Sequence, residues 1–282
     1  MTGAAGVSRP CHGLSMRNSL LFTAIASASA LRTPPTIASA AAANYAISTV
    51  KGDDASIMKV TDFFVRGFWQ EGTTVGKQDL SIMERTSLVS QQNDDMIMRY
   101  GELVGQRRLR SRLMVAKDDS DEVVGCVGVE MALVQPQTGQ VLSRSQGEGL
   151  LANELSSMGG RERNRYRKMG VVELTAALFP EYQVYALLAN LAVAPSTRGA
   201  GLGRALCASC EAAGSEWGVA AIMLQVEEVN EPARKLYESV GYSLVHKDKA
   251  ATALRVQPGA GAGAGLLRNE VSTLLLLGKG LP

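Results

Sequence analysis

The chain has 282 residues, 46% of them hydrophobic, which is enough to bury one core of ordinary domain size with further segments around it. Its formal net charge is only +2, and no acidic residue precedes Asp53. Four basic residues lie before Asp53, so the rest of the chain has 25 basic against 27 acidic residues, a net charge of about −2. This balance argues against a nucleic-acid-binding protein.

The first 43 residues are predicted to be an organellar targeting leader. They contain no acidic residue, are rich in Ser, Thr and Ala, and carry sparse arginines with poor amphipathic spacing. The apolar stretch Leu20–Leu31 is similar to the hydrophobic region of a signal peptide and is too short to span a bilayer. We expect a two-part leader for import into a plastid stroma. A mitochondrial leader and a disordered tail are the alternatives.

The segment after the leader predicts the first half of an α/β domain. A strand is expected at Tyr45–Lys51, followed by a helix in which Val60, Phe63, Phe64, Gly67 and Phe68 recur at helical spacing. A second helix is expected from about 93 to 110, because its last residues are arginines. A polar turn between Leu113–Lys117 and Val123–Val134 predicts a hairpin.

Residues 135–178 are predicted to be a long polar insertion that interrupts the sheet. Its basic residues are expected on a solvated face, with a substrate-recognition lid as the alternative. The basic residues meant here are the five toward its end: Arg161, Arg163, Arg165, Arg167 and Lys168.

A glycine-rich turn joins the apolar strand Tyr185–Val193 to an amphipathic helix. Pro195 cannot donate to a sheet and ends the strand. The turn that follows reads Arg198-Gly199-Ala200-Gly201-Leu202-Gly203. Glycines at alternate positions let successive amides point into one concavity, and such amides at a helix N-terminus bind phosphate. The turn therefore predicts a phosphorylated ligand.

The spacing of the glycines excludes two common phosphate ligands. A Walker loop needs a lysine and a hydroxyl residue after its last glycine, and neither follows Gly203. A dinucleotide loop needs a third glycine at the position of Arg204.

A second motif follows one strand later. After the apolar strand Ala220–Val226 comes a short helix with Pro232 in its first turn and Gly241 after its end. The motif reads Asn230-Glu231-Pro232-Ala233-Arg234-Lys235-Leu236-Tyr237-Glu238-Ser239-Val240-Gly241-Tyr242. Together with the glycine-rich turn, it resembles the GNAT superfamily of acetyl-CoA-dependent N-acetyltransferases, and in particular the plastid-type protein N-acetyltransferases. The resemblance is close over Val184–His246 and only architectural elsewhere.

The resemblance implies the GNAT fold for residues 44–282 as a single domain. This α/β fold has a mixed, mostly antiparallel sheet of six or seven strands with helices on both faces. Its fourth and fifth strands are splayed around acetyl-CoA. Residues 258–265, a proline followed by alternating glycine and alanine, predict a linker, and Val271–Leu277 is expected to close the sheet.

The resemblance also implies roles for individual residues. Backbone groups of Leu191–Val193 would hold the pantetheine arm, and an amide near Val193 would stabilise the oxyanion. Tyr237 would be the general acid toward the coenzyme thiolate, with helix-to-sheet packing as the alternative. Asn230 would bind the pantetheine or a helix end. The implied coenzyme-binding set is Leu191, Ala192, Val193, Arg198, Gly199, Ala200, Gly201, Leu202, Gly203, Arg204 and Asn230.

The general base is the residue that departs from the family pattern. Related N-terminal acetyltransferases often carry a glutamate five residues before the motif asparagine, where this chain has Gln225, which cannot accept a proton. Residues two apart on a strand share a face, so Glu227 is predicted as the replacement, acting through a water. A solvent-exposed carboxylate without catalytic function is the alternative.

The four cysteines predict no metal or redox site. Cys207 and Cys210 lie in the helix after the glycine-rich turn without partner ligands, and neither Cys11 nor Cys126 has metal-like spacing. They are expected to be core or helix-face thiols. Acetyl-CoA is then the only cosubstrate expected, without a metal.

Three functions remain open at this stage. The first is acetylation of protein N-terminal or lysine amines in a plastid, with protein or peptide partners and no stable membrane insertion. The second is acetylation of a small amine such as an arylalkylamine or polyamine. The third is a non-catalytic acyl-CoA-binding module, suggested by the absent glutamate at Gln225.

Overall fold

The computed structural model describes residues 45–72, 76–77, 79–102, 108–261, 263 and 265–282. Their strands are β1 (Ala46–Thr49), β2 (Glu71–Gly72), β3 (Gly76–Lys77), β4 (Ser111–Lys117), β5 (Val123–Gln135), β6 (Gln140–Leu142), β7 (Gln183–Val193), β8 (Ala221–Glu227), β9 (Ser243–Asp248), β10 (Thr252–Val256), β11 (Leu267–Val271) and β12 (Leu274–Gly280). Their helices are α1 (Asp54–Phe64), α2 (Ile82–Tyr100), α3 (Arg144–Ser157), α4 (Gly160–Arg167), α5 (Val171–Leu178), α6 (Leu202–Glu216) and α7 (Glu231–Ser239). A π-helical turn, Val65–Gln70, continues α1, and a 3₁₀ turn, Pro195–Thr197, follows β7.

The central sheet has the strand order β1-β4-β5-β7-β8-β12-β9, with β6 paired to β5. Its pairings are antiparallel except for β7 with β8, which are parallel. This confirms the predicted mixed, mostly antiparallel sheet. The sheet has eight strands rather than six or seven, because Gln140–Leu142 folds back onto β5.

Helices cover both faces of the sheet, as predicted. On one face, Ile222 and Leu224 of β8 pack in one apolar cluster with Leu206 and Cys210 of α6. On the other face, Phe64 of α1 belongs to a second cluster whose members come from α1, α2 and the sheet, among them Leu88, Met96, Val115 and Cys126. The alternation of side chains along each strand therefore places buried apolar residues on both faces of the sheet.

The second helix begins and ends earlier than predicted. α2 starts at a capping box in which the Ser81 hydroxyl and the Glu84 carboxylate each bond the other residue's backbone amide. It ends before Gly101, so Arg108 and Arg110, which suggested a C-terminus near 110, lie beyond the helix. The predicted range of 93 to 110 was therefore wrong at both ends.

Residues 135–178 differ from a purely polar insertion, since they contain β6, α3, α4 and α5. Arg144 and Glu148 of α3 are buried, and the Glu148 carboxylate accepts hydrogen bonds from the amides of Arg108 and Leu109, both 2.6 Å. The first part of this region therefore belongs to the core. α4, in contrast, buries none of its side chains, and its basic residues are exposed.

The described residues of the Gly/Ala-rich segment lie in the turn between β10 and β11, which form a hairpin that the sequence did not predict. The Gly259 amide donates to Glu84 Oε1 at 2.7 Å, and the Gly263 amide donates to Ser87 Oγ at 3.1 Å. These contacts attach the turn to the first half of α2. The last strand, β12, lies between β8 and β9 and so closes the sheet three residues later than expected.

The described helices include no segment that is both long and apolar enough to cross a membrane. The predicted leader, residues 1–43, and Cys11 lie outside the described residues.

Candidate active site

A cleft opens in the sheet where β7 separates from β8. The two strands pair only through Ala186–Leu188 and Ile222–Leu224. Beyond Leu188, β7 pairs with β5 alone, and the end of β8 pairs with β12 alone. This is the splay that was expected of the two central strands.

A bulge lies at the point where the cleft begins. The register of β7 against β5 shifts between Cys126, opposite Ala192, and Gly128, opposite Ala189, so two residues of β7 oppose one of β5. Asn190 stands in this bulge with φ of 55°, a left-handed conformation that asparagine tolerates better than most residues.

The bulge leaves the Val193 amide pointing into the cleft. The Ala194 amide donates to the Val124 carbonyl at 2.9 Å. Bonded and non-bonded pairs alternate along an antiparallel ladder, so the adjacent pair of Val193 and Gly125 is non-bonded. Both backbone groups of Val193 therefore point away from β5, and its carbonyl accepts from Arg198 Nε at 3.1 Å. Its N–H is the kind of preorganised donor that stabilises an oxyanion.

The glycine-rich turn presents the start of α6 to open space. Gly199 and Gly201 have φ of 83° and 86°, and nothing lies within 4 Å of the position where a Cβ would stand. Gly201 is the N-cap and provides no side chain to bond the first amides of α6. These amides, from Leu202 to Arg204, have no intrahelical acceptor and can bind an anion.

Gly203 is needed for close packing rather than for an unusual backbone conformation. A Cβ there would lie 3.0 Å from Leu236 Cδ2 of α7, so the glycine lets α6 and α7 approach closely. This contact joins the two motifs that the sequence analysis singled out.

Tyr237 belongs to the apolar cluster that includes both walls of the cleft. Val226 of β8 is a member of this cluster, and Leu191 and Val193 of β7 pack at its margin. Tyr237 is 6% exposed, its ring centroid is 5.8 Å from that of Tyr242, and burial raises the pKa of its hydroxyl. The hydroxyl is therefore protonated at neutral pH.

Asn230 is the N-cap of α7. Its side-chain oxygen accepts a hydrogen bond from the Ala233 amide at 3.3 Å. Such a bond satisfies one of the amides at the helix start.

Glu227 is held by the β10–β11 hairpin. Its Oε1 accepts from Arg255 Nη1 at 3.0 Å, and its Oε2 accepts from Arg255 Nη2 and, at 2.8 Å, from Ser272 Oγ. Despite partial burial, the hydrogen bonds from Arg255 and Ser272 hold the pKa of Glu227 below its usual range. Glu227 therefore stays ionised and also anchors the hairpin to the end of β8. The neighbouring Glu228 pairs with Lys247 at 2.5 Å, and Gln225 is exposed.

The π-helical turn lies against the cleft on the other face of the sheet. A Cβ on Gly67 would lie 3.7 Å from the Cβ of Ala192. Next to it, Phe68 is 36% exposed and stacks on Phe64 with ring centroids 5.1 Å apart. π-helical turns are frequent at functional sites, and this one places an exposed aromatic side chain near the cleft.

The cysteines are poor candidates for chemistry. Cys126, Cys207 and Cys210 are buried and free, and burial raises the pKa of Cys126 and of Cys207 to about 12. Both thiols are therefore protonated at neutral pH. Over the described part of the chain, no group of His, Cys, Asp or Glu residues is arranged to hold a metal ion.

The sequence analysis missed four residues around the cleft. Asn190 could have been noticed, because it is a polar residue inside an apolar strand. Gly128 could also have been noticed, because an isolated glycine in a strand suggests that another group approaches the backbone closely. No local pattern pointed to Arg255 or Ser272, because they meet Glu227 only through the fold.

Comparison with protein families gives one match. Residues 160–242 match the family described as "Acetyltransferase (GNAT) family". The matched segment runs from α4 through the cleft strand, the glycine-rich turn and α7 to Tyr242. It is less than a third of the chain. Among curated proteins, no sequence matches this chain.

Several solved structures are similar to the chain. Nourseothricin acetyltransferase is 22% identical, with 61% of this chain and 66% of that chain covered and a TM-score of 0.35. The chain thus spans just under two thirds of that protein. The ribosomal-protein-S18-alanine N-acetyltransferase from Escherichia coli is 13% identical, with 84% and 94% covered and a TM-score of 0.42. The polyamine N-acetyltransferase of Drosophila melanogaster is 15% identical, with 84% and 100% covered and a TM-score of 0.43.

Proposed function

We propose that this chain, in which residues 160–242 match the GNAT acetyltransferase family, is an N-acetyltransferase that transfers the acetyl group of acetyl-CoA to protein amines. The acceptors would be N-terminal or lysine amines, and the compartment a plastid. Acetyl transfer is proposed because two features lie near each other at the end of β7. The Val193 amide faces the cleft, and the uncapped start of α6 follows after the 3₁₀ turn and the glycine-rich turn.

The positions of the residues around the cleft support a specific role for each of them. The amides from Gly199 to Arg204 would bind the pyrophosphate, and Leu191–Val193 would hold the pantetheine arm. The Val193 amide would stabilise the oxyanion as the amine attacks the thioester carbonyl. Tyr237, which burial keeps protonated, would give its proton to the departing thiolate. Glu227 would take the proton of the amine through a water, as the sequence analysis predicts.

Charge pairing favours a protein amine over a polyamine. A polyamine site needs carboxylates that are free to meet several ammonium groups. On the face covered by α1 and α2, the Glu227 carboxylate meets Arg255, that of Asp62 meets Arg85 at 2.6 Å, and that of Glu84 bonds Ser81 and Gly259. The exposed Phe68 offers an apolar contact instead, which suits the first side chains of a protein chain.

Acetyl transfer by the full chain separates the possible acceptors. The purified protein is incubated with acetyl-CoA and four acceptors: peptides with a free N-terminus and blocked lysines, peptides with a blocked N-terminus and free lysines, spermidine, and an arylalkylamine. Mass spectrometry then identifies the acetylated amine. We expect a peptide class to exceed spermidine by at least about tenfold in kcat/KM. A small amine as the best acceptor would overturn the protein-substrate proposal, and coenzyme binding without any product would leave only a non-catalytic module.

The plastid assignment is tested separately. A fluorescent protein fused behind residues 1–50 is expressed in a photosynthetic cell, and its position is compared with chlorophyll fluorescence. Co-localisation is the expected result. A mitochondrial or diffuse signal would contradict the plastid proposal without affecting the acetyl-transfer proposal.

The glycine-rich turn leads to a prediction on coenzyme binding. In Gly201→Ala, the left-handed φ of 86° becomes strained, and relief of the strain redirects the first amides of α6. We expect about tenfold weaker binding of coenzyme A, measured by titration calorimetry, and a loss of about 1 kcal/mol of unfolding free energy. Gly218→Ala is the matched control, because Gly218 also has a positive φ, 73°, in open space but follows the other end of α6. It should lose similar stability and no affinity. Equal affinities of the two variants would refute the role of the turn.

Glu227 leads to a prediction on pH dependence. If Glu227 is the base, kcat/KM falls at low pH as the carboxylate is protonated. Because the Arg255 contact lowers the pKa of Glu227, this fall should occur at a pH below the usual pKa range of glutamate. Arg255→Gln removes the contact, so the fall should move to higher pH. Glu227→Gln should abolish the fall together with most of the activity, by about 100-fold. Glu228→Gln is the control and should leave the profile unchanged. A Glu227→Gln enzyme with the wild-type profile would exclude the assignment and leave the residue its anchoring contact with the hairpin.

A further inference from the structure

Strand β5 has a slot opposite the bulge, and the Tyr100 ring fills it. A Cβ on Gly128 would lie 2.1 Å from the Tyr100 hydroxyl oxygen and 2.2 Å from its Cζ, so only glycine admits the ring. Tyr100 is the last residue of α2 and is 7% exposed. The ring therefore passes over β5 to reach β7.

The hydroxyl of Tyr100 ends on the bulge itself. It donates to Asn190 Oδ1 at 2.9 Å, across 90 residues of sequence. Asn190 has the left-handed backbone conformation, and its carbonyl accepts from Cys126 Sγ at 3.5 Å. Hydrogen bonds to the side chain and to the carbonyl of Asn190 thus hold the bulge in place.

The end of α2 that carries Tyr100 is itself anchored. Arg144 Nη1 donates to the Arg99 carbonyl at 2.5 Å and to Ser111 Oγ at 2.6 Å. The Arg99 guanidinium pairs with the fully buried Glu130 at 2.7 Å. Tyr100 therefore approaches the bulge from a fixed support.

We propose that Tyr100 and Asn190 are positioning residues for acetyl transfer, which rests on the proposed function. The Tyr100 hydroxyl holds Asn190 in the left-handed conformation. That conformation places two residues of β7 opposite one of β5 and so sets the register in which the Val193 amide points into the cleft. Neither side chain needs to touch the reacting atoms. Loss of the hydroxyl should misdirect the oxyanion donor, and small displacements of such groups cost large factors in rate.

Steady-state kinetics of the full chain test the pair. Tyr100→Phe keeps the ring in its slot and removes only the hydroxyl. We expect kcat to fall about tenfold, with the KM for acetyl-CoA changed less than about twofold, because the donor acts mainly in the transition state. Asn190→Gly keeps the left-handed backbone accessible and removes the acceptor, so it should show the same loss. Asn190→Ala strains the backbone as well and should lose more.

The double variant distinguishes a working pair from two separate structural defects. If Tyr100 acts through Asn190, adding Tyr100→Phe to Asn190→Gly should cause no further loss of kcat. Losses that multiply, or a Tyr100→Phe enzyme with wild-type kcat, would overturn the inference. Assays are run well below the unfolding midpoint of each variant, so a smaller folded fraction cannot imitate the effect.

A second readout does not depend on activity. In the coenzyme-bound protein, Tyr100→Phe should shift the amide nitrogen and proton resonances of Val193 and leave those of Gly218 unchanged. Unmoved Val193 resonances would overturn the inference even if the wild-type protein transferred no acetyl group. A wild-type protein without transfer would refute the proposed function alone.

Discussion

Replacing Gly128 by alanine should cost about 3 kcal/mol of unfolding free energy, near the upper end for overpacking a core. The added Cβ would overlap the Tyr100 ring, and the ring cannot withdraw, because it is buried and its hydroxyl is bonded to Asn190. Without the slot, alanine would be the better residue for a strand by about 0.5–1 kcal/mol. The sign of the change therefore tests whether the ring occupies this position.

Urea unfolding, followed by circular dichroism, should show the effect as a lower midpoint concentration of urea. The dependence of the unfolding free energy on urea concentration should stay unchanged. Gly280→Ala is the matched control, since Gly280 also lies in a strand, β12, and nothing lies within 4 Å of its added Cβ. Its unfolding free energy should stay within about 0.5 kcal/mol of the wild type. A Gly128→Ala protein that is as stable as the control would mean that Tyr100 packs elsewhere and does not hold the bulge.

The second half of the domain could be predicted from the sequence because its signals are local. Pro195 marks the end of a strand, Gly199 and Gly201 mark a turn, and Gly241 marks the end of a helix. Each signal depends on backbone conformations within a few residues. Strands β7 and β8 accordingly lie within two residues of their predicted positions, and a helix follows each of them as predicted.

The first half was less predictable for two reasons. The start of α2 has a readable capping box in Ser81 and Glu84, and the prediction overlooked it in favour of the arginines near 110. The region 135–178 reads as polar, yet the Glu148 carboxylate is buried because two backbone amides satisfy it. Burial of a polar side chain depends on partners that a sequence pattern does not reveal.

Contacts between distant segments were beyond sequence reasoning altogether. Glu227 could be placed on the same strand face as Gln225, but its ion pair with Arg255 depends on a hairpin whose strands are short and only partly buried. The contact between Tyr100 and Asn190 depends on which strand lies beside β5. Strand order is a property of the whole fold, so the residues that orient the cleft emerge only from the structure.

Replacing Tyr237 by phenylalanine should lower kcat about 100-fold, within the usual range for a general acid. The departing thiolate must be protonated, and the Tyr237 hydroxyl lies in the cluster that joins both walls of the cleft. Burial raises the pKa of this hydroxyl, so the group remains protonated and kcat should show no fall from it below about pH 10. Coenzyme affinity should change less than about twofold, because the proton moves only as the thioester bond breaks.

The neighbouring tyrosine provides the control for this variant. Tyr242 is also buried, its pKa is also raised by burial, and its ring contacts that of Tyr237. If general acid catalysis belongs to Tyr237, the Tyr242→Phe enzyme should retain kcat within about threefold. If the Tyr237→Phe enzyme retained kcat as well as the Tyr242→Phe enzyme does, both rings would serve packing alone. In that case the thiolate would have to take its proton from water, and the enzyme would depend on the Val193 amide for most of its rate enhancement.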